Sequence, residues 1–239
     1  MWLHKPGATV EDYRRICDQI GRELELPLSF EGRYKWIVFL NSKIDSRTPV
    51  LNRYYGVLED GTLKVRGIEL RRHDTPGIVS TCQSEMLGIF SRAQDSIQFR
   101  ALIPEALSVL EKHVARVREE RVPLEDLVIS KNISKNPHEY SNLVPQALAA
   151  KRLVQEGREV HAGQSVSFIL SKEKGALPAG SSEENTTYDW EEYMELLVAS
   201  AENLLLPFGY DKDRLRHNLP SIYPRTVQLK KRHGSIPHW

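Results

Sequence analysis

The chain has 239 residues, a formal net charge of +1, and a composition that is 40% hydrophobic and 27% charged. Such a composition supports a folded core and excludes global disorder, and the small net charge means that any nucleic-acid binding must depend on local patches. No apolar run approaches the roughly 20 residues of a membrane span. The two cysteines lie far apart and form no CxxC pair, which indicates a reducing, cytoplasmic setting.

The N-terminal part of the chain predicts one helix followed by a strand. Thr9 and Asp12 form a loose capping box ahead of apolar residues at helical spacing, which predicts a helix over residues 9–25. Tyr34–Leu40 has the composition of a strand, and Asp45–Val50 predicts a loop.

A β-hairpin is predicted next, over Arg53–Leu70. Its turn signal is the pair Asp60-Gly61, which suits a tight two-residue turn. Alternation with a period of two places Leu63 and Val65 on one face and Lys64 and Arg66 on the other. Two interpretations of the basic face stay open: it is either an ordinary solvated surface or a platform that meets phosphates. The first 75 residues therefore predict a helix on an antiparallel sheet of about three strands.

From Thr75 onward the pattern becomes mainly helical, so the predicted fold class is α+β. Apolar residues recur at a period of 3.6 in several stretches, and two short runs have the composition of strands. The predicted elements are helices over Ile78–Phe90 and Leu102–Val117, a strand over Leu127–Ile133, a helix over Asn142–Glu156, a strand over Ser165–Leu170, a loop over Ala176–Thr187, and a helix from Asp189 to Leu205.

Charge is unevenly distributed near the C-terminus. Ser181–Glu195 holds six acids and no lysine or arginine, and Arg216–Trp239 holds five bases and no acid. The acidic stretch predicts a solvated surface. The basic tail is either a disordered, solubilising end or an arm that binds a partner, and the sequence alone does not choose between them.

Residue patterns that mark common catalytic sites do not occur in the sequence. The eight histidines are scattered without HExxH spacing, and there is no GxxxxGK[ST] loop, GxGxxG loop or Gly-x-Ser-x-Gly elbow. No spacing of acids marks a pair of metal-binding carboxylates. We therefore expect that this chain binds no cofactor alone and performs no complete chemistry alone.

Five segments carry a resemblance to a known family. They are NRYYG (52–56), KVRGIELRRHDTP (64–76), LVISKNISKNPHEY (127–140), AAKRL (149–153) and GYDKDRLRH (209–217). In these motifs, their order and their separations, the chain resembles the C-terminal end of archaeal family B DNA polymerases. The resemblance implies that residues 1–75 form the C-terminal part of a palm domain and residues 76–217 a thumb. It does not extend to residues 218–239, which form the basic tail, expected to be disordered or to bind a partner.

The resemblance also implies a partner. In that family an Asp-Thr-Asp motif of the palm binds the catalytic metals, and this sequence has none. We therefore predict the small subunit of a split polymerase, inactive alone, which completes the palm and supplies the thumb. Its predicted partners are a large chain carrying the Asp-Thr-Asp motif with Mg²⁺, and primer-template DNA. A sliding clamp is a further candidate, although Gln228 in the tail lacks the downstream aromatic pair of a usual clamp-binding peptide. Two alternatives stay open: a non-catalytic DNA-binding remnant or regulatory module, and a truncated gene.

The candidate DNA-binding residues follow from the same resemblance. Where the family has a Lys-Lys-x-Tyr motif that grips the new duplex, this chain has Leu51-Asn52-Arg53-Tyr54, with less charge. Residues 131–138 match the thumb segment that tracks the duplex backbone, although without the resemblance a polar surface loop is the favoured interpretation. The candidates are Lys43, Asn52, Arg53, Tyr54, Lys64 and Arg66 around the hairpin, and Lys131, Asn132, Ser134, Lys135 and His138 in the later segment.

Overall fold

The computed structural model describes residues 3–42, 48–181 and 187–219. Within these residues the protein has seven α-helices and two antiparallel sheets of three strands each, so the predicted α+β class is confirmed. Lys43 and most of the basic tail lie outside the described residues. No helix in the described part of the chain is both long enough and apolar enough to cross a membrane.

Helix α1 spans Val10–Glu23 and begins at the predicted capping box. The Thr9 hydroxyl accepts a hydrogen bond from the Asp12 backbone N–H at 3.2 Å, and the Asp12 carboxylate accepts one from the Thr9 backbone N–H at 2.9 Å. Two backbone donors at the helix start are thereby satisfied. No residue of the helix is fully buried, and the residues on its apolar side are half-buried.

The first sheet has the order β1-β2-β3, with β1 at Tyr34–Asn41, β2 at Pro49–Leu58 and β3 at Leu63–Arg66. The predicted hairpin is confirmed, but its turn differs from the prediction. Val57 pairs with Leu63, and Leu58 and Thr62 close a loop of three residues. Only Gly61 in that loop has a positive φ, at +87°, as in hairpins whose type I turn ends in a left-handed residue. The predicted Asp45–Val50 loop is also too long at its C-terminal end, because β2 already begins at Pro49.

Six further helices follow. Helices α2, α4, α5 and α6 were predicted with shifts of a few residues at their ends, whereas the short α3 and α7 were not, because six residues carry too little periodicity to detect. Their bounds are α2 Gly77–Phe90, α3 Ser96–Ala101, α4 Ile103–Arg118, α5 Pro145–Gln155, α6 Trp190–Leu205 and α7 Lys212–His217.

The second sheet has the order β4-β5-β6, with β4 at Ile129–Asn132, β5 at Ser165–Ser171 and β6 at Gly175–Pro178. Strand β6 corrects the predicted loop over Ala176–Thr187. The Gly–Pro composition of this stretch suggested a loop, but it pairs with β5 from Phe168 opposite Pro178 to Ser171 opposite Gly175. The predicted mainly helical second part therefore contains a sheet as well.

The core is one continuous cluster of buried side chains that includes residues on both sides of residue 75. Phe99 stacks on Phe90 and Phe208, with ring centroids 4.3 and 4.6 Å away, and meets the edge of Trp36 from β1 at 5.1 Å. The buried Tyr55 hydroxyl on β2 donates a 2.7 Å hydrogen bond to the Leu204 carbonyl on α6. The hairpin sheet is thus packed directly on the helices that follow it.

Candidate nucleic-acid interface

The RGIEL segment forms the corner that leaves the hairpin. Gly67 has φ of +68°, and a Cβ atom there would lie 2.7 Å from the Arg53 Cγ and 2.8 Å from the Asn52 carbonyl oxygen. Both the left-handed backbone and the close approach require glycine. The next residue, Ile68, is fully buried, so the corner turns the chain into the core.

Arg53 is held inside this corner. Its Nη1 donates to the Asn41 carbonyl at 2.7 Å, its Nε to the Gly67 carbonyl at 3.1 Å, and its Nη2 to the Asn203 Oδ1 at 3.2 Å. All three guanidinium nitrogens therefore donate to groups of the protein itself. The predicted contact of Arg53 with phosphate stays a prediction, and the structure adds a second role, that of joining β1, β2 and α6.

A polar network continues from Arg53 into the helices. Asn203 Nδ2 donates to Glu69 Oε1 at 2.6 Å, and Gln83 Nε2 donates to Glu69 Oε2 at 3.0 Å. Gln83 is fully buried and also accepts a hydrogen bond from the Leu70 N–H at 2.7 Å. The acid of RGIEL thus links the hairpin corner to α2 and α6 by hydrogen bonds that satisfy buried polar atoms.

The other candidate residues on the hairpin differ in whether their side chains are free to contact DNA. Asn52 and Arg66 are exposed. Lys64 forms an ion pair with Glu31 at 3.3 Å. Tyr54 is buried and lies in hydrogen-bonding contact with Tyr34, whose pKa is raised by burial first and then by neighbouring groups. Two of these four side chains are therefore directed to solvent and two are engaged by the protein.

The 131–138 segment presents its candidates together. Lys131 and Asn132 lie on β4, which is an edge strand of the second sheet, and Ser134, Lys135 and His138 lie in the turn that follows. All five are exposed. Within the described residues, neither lysine of this segment forms an ion pair, and the segment itself contains no acid. The five predicted residues are thus all accessible to solvent, and whether they contact DNA stays a prediction.

Tyr140 organises the turn, and sequence reasoning missed this role. Its hydroxyl oxygen accepts hydrogen bonds from the backbone N–H of Ser134 at 2.8 Å and of Lys135 at 3.3 Å. The hydrogen bonds from Ser134 come first among the causes that lower the pKa of Tyr140. Lys151 on α5 donates to the Tyr140 carbonyl at 3.1 Å. The turn that carries Ser134 and Lys135 is therefore anchored to α5.

A second set of contacts closes the same turn. The Asn136 backbone N–H donates to the Glu139 carboxylate at 2.7 Å, which completes a capping box around Pro137–Glu139. The Asn136 side-chain oxygen accepts from the Ala162 N–H at 3.1 Å. The sequence signal was present, since Asn followed three residues later by Glu, with Pro between them, is typical of a capped helical turn.

Two arginines that were not among the candidates lie between the hairpin and the 131–138 segment. Arg71 and Arg72 are exposed and directly follow the RGIEL corner. Arg72 donates two hydrogen bonds to Asp74, at 2.8 and 2.7 Å, and these lower the pKa of the Asp74 carboxyl, with a smaller contribution from the charge of Lys131. Lys131 therefore lies within electrostatic range of this pair. The two adjacent arginines in the sequence RGIELRRHD were the signal that could have identified them as candidates.

Across residues 3–42, 48–181 and 187–219, no group of three or more histidine, cysteine, aspartate or glutamate side chains is arranged to hold a metal ion.

Comparison with known proteins assigns the family. The model of the family described as DNA polymerase family B matches residues 24–206, which is more than half of the chain. The chain belongs to DNA polymerase family B. This family B chain is 28% identical to a DNA polymerase of Archaeoglobus fulgidus over 178 residues, and 28% identical to a DNA polymerase of Thermococcus sp. (strain 9oN-7) over 237 residues. The alignments cover 74% and 94% of this chain, respectively.

The family B chain spans only part of its relatives. It covers 21% of the length of the Archaeoglobus polymerase and 28% of the Thermococcus polymerase. Among solved structures, the family B DNA polymerase from Pyrobaculum calidifontis superposes with a TM-score of 0.58 at 20% identity, over 83% of this chain and 24% of that one. This likeness shows a shared fold.

Proposed function

We propose that this chain is the small subunit of a split family B DNA polymerase, in which it completes the palm and supplies the thumb that grips primer-template duplex. The observation that carries the proposal is the 131–138 segment. Exposed Lys131 and Asn132 lie at the end of β4, and Lys135 and His138 follow in a turn that Tyr140 holds in place. A preordered turn loses less conformational entropy when it binds than a flexible one does.

The chemistry of this segment suits phosphate rather than bases. Lysine ammonium groups and backbone N–H groups are donors that meet phosphate oxygens, and contacts to phosphate carry no sequence information. A polymerase must bind every sequence that it copies, so a grip of this kind fits the proposed role. Asn52 and Arg66 on the hairpin, with Arg71, would extend the same surface toward the palm.

The catalytic step would belong to the assembled enzyme. Phosphoryl transfer by two metal ions needs carboxylates that hold Mg²⁺ and polarise the reacting oxygens. We propose that aspartates of a large partner chain hold these ions. This chain would position the duplex, which converts a bimolecular encounter into a reaction between prealigned groups.

The test is co-purification with a large chain from the same organism that carries an Asp-Thr-Asp motif, followed by primer extension with each chain alone and with both. We expect a stable complex, extension with Mg²⁺ by the pair, and no extension by this chain alone. Extension by the purified single chain would contradict the assignment of the metals to the partner.

The same experiment separates the alternative. If the large chain extends primers equally well with and without this chain, and if this chain still binds duplex DNA, then a non-catalytic DNA-binding module is the better description.

A further inference from the structure

The α1 surface, defined here as the apolar side of helix α1 together with Leu24, Leu26 and Leu28, is poorly covered by the rest of the chain. Tyr13, Ile16, Cys17 and Ile20 form a stripe at helical spacing, and all four are half-buried, whereas no residue of the helix is fully buried. Leu24, Leu26 and Leu28 are 61%, 50% and 41% exposed. Exposed leucines beside a half-buried apolar stripe are typical of an interaction surface.

The α1 surface has a groove as well as a face. The segment after the helix folds back along it, where the Leu26 N–H donates to the Gly21 carbonyl at 3.0 Å. Between them lies an open groove of about 500 Å³, bordered by the apolar residues Leu26 and Leu28 and by the charged residues Asp18 and Arg22. An isolated helix of 14 residues is only marginally stable in water, since most helix stability comes from packing an apolar face. The α1 surface therefore has a shape that suits a protein partner, and helix α1 would gain stability by packing against one.

The charge of this region argues against DNA as the occupant. Residues 9–25 contain five acids and three bases, which gives the helix a net negative charge that duplex phosphates would repel. The occupant is better sought among proteins that present an apolar surface.

The relatives indicate which protein. The alignment with the Thermococcus polymerase covers 94% of this chain over 237 residues, but it covers only 28% of that polymerase. In that relative, the matched region therefore belongs to a polypeptide several times longer. Under the proposed function, the remaining palm surfaces lie on the large chain, which makes that chain the expected occupant of the α1 surface.

We infer that the α1 surface is the docking site for the large polymerase chain, an inference that rests on the proposed function. Its apolar stripe and leucines would be buried when the two chains assemble, while the 131–138 segment, on another part of the molecule, stays free to meet the duplex.

The experiment compares two matched double variants in binding to the purified large chain without DNA. The test variant is Leu24→Glu with Leu26→Glu. The control is Leu143→Glu with Val154→Glu, which are 66% and 47% exposed and lie elsewhere on the chain. We expect the test variant to raise the Kd at least tenfold and the control to leave it within twofold of wild type.

The test variant could weaken binding simply because it destabilises α1 in the free chain. A second measurement, on the wild-type chain, avoids this ambiguity. Hydrogen exchange of the wild-type α1 amides should slow several-fold when the large chain is added, whereas unchanged exchange on binding would overturn the inference.

The outcomes separate the two claims. If both variants bind the large chain as tightly as the wild type does, the α1 surface is not the docking site, and the proposed function is unaffected. No complex with the wild-type chain overturns the proposed function, and the docking site with it. A wild-type dimer that the test variant abolishes, or loss of duplex binding in the test variant alone, would assign the surface to a second copy or to DNA instead.

Discussion

The hairpin region and the 131–138 segment have similar polar residues but use them differently. Around the hairpin, Arg53 donates from all three guanidinium nitrogens to the protein, and Lys64 is paired with Glu31. In the 131–138 segment both lysines are exposed and form no ion pair within the described residues. The difference shows that a basic residue next to a motif can serve the fold in one place and be available to a ligand in another.

The largest effect is expected from Gly67→Ala, which should lower the free energy of unfolding by about 3 kcal/mol, because it adds a left-handed alanine and overpacks the corner. The matched control is Gly61→Ala. Gly61 also has a positive φ, but a Cβ there meets nothing within 4 Å, so only the backbone cost of about 1 kcal/mol remains. Urea unfolding measures both. Equal losses would mean that the contact with Arg53 is easily relieved.

Arg53→Ala comes next, with an expected loss of about 2 kcal/mol, since it removes charge-assisted hydrogen bonds to Asn41, Gly67 and Asn203. Arg66→Ala removes an exposed arginine from the same hairpin and should change stability by less than about 0.5 kcal/mol. If both variants unfolded at the same urea concentration as the wild type, Arg53 would have no structural role. The hairpin would then not differ from the 131–138 segment in how it uses its basic residues.

Lys131→Ala with Lys135→Ala should leave stability unchanged and weaken duplex binding roughly tenfold in the assembled polymerase. Two lost phosphate contacts should flatten the slope of log K against log[salt] by about 1.8, and the loss should be similar on templates of different sequence. The control, Lys112→Ala with Lys172→Ala, removes the same charge from other exposed positions. If the two double variants gave the same slope of log K against log[salt], the 131–138 segment would be an ordinary surface loop.

Tyr140→Phe should have the smallest effect, below about 1 kcal/mol, because it removes a single acceptor shared by two exposed N–H groups. We expect faster hydrogen exchange at Ser134 and Lys135 and a loss of duplex affinity of a few-fold. Tyr210→Phe is the control, since the Tyr210 ring faces the Arg214 guanidinium rather than this turn. Unchanged exchange at Ser134 would show that the turn is held without the hydroxyl.

Elements with local signals were predictable from the sequence. The capping box at Thr9 and the apolar stripe after Asp189 place α1 and α6 within two residues of their observed bounds. Strand β6 was missed because Gly175–Pro178 resembles a turn by composition, and only its pairing with β5 makes it a strand. Tertiary pairing of this kind is not visible in a short window of sequence.

The candidate site also has parts that could be predicted from local sequence and parts that could not. The exposed residues from Lys131 to His138 follow one another in the chain, so a motif could identify them together. The partner of Arg53 could not be predicted, because Asn203 lies 150 positions later and meets it only after α6 packs against the hairpin. The role of Tyr140 was within reach of the sequence, but it needed attention to backbone donors rather than to charged side chains.

The continuous core has a consequence for how the molecule responds to its ligands. Because Trp36 and Tyr55 of the first sheet pack with Phe99 and Leu204 of the later helices, the two parts should lose their structure in one cooperative transition. A ligand that binds only the native form raises the stability of everything that unfolds with its site. A ligand held at the 131–138 segment alone would therefore also protect the first sheet against heat.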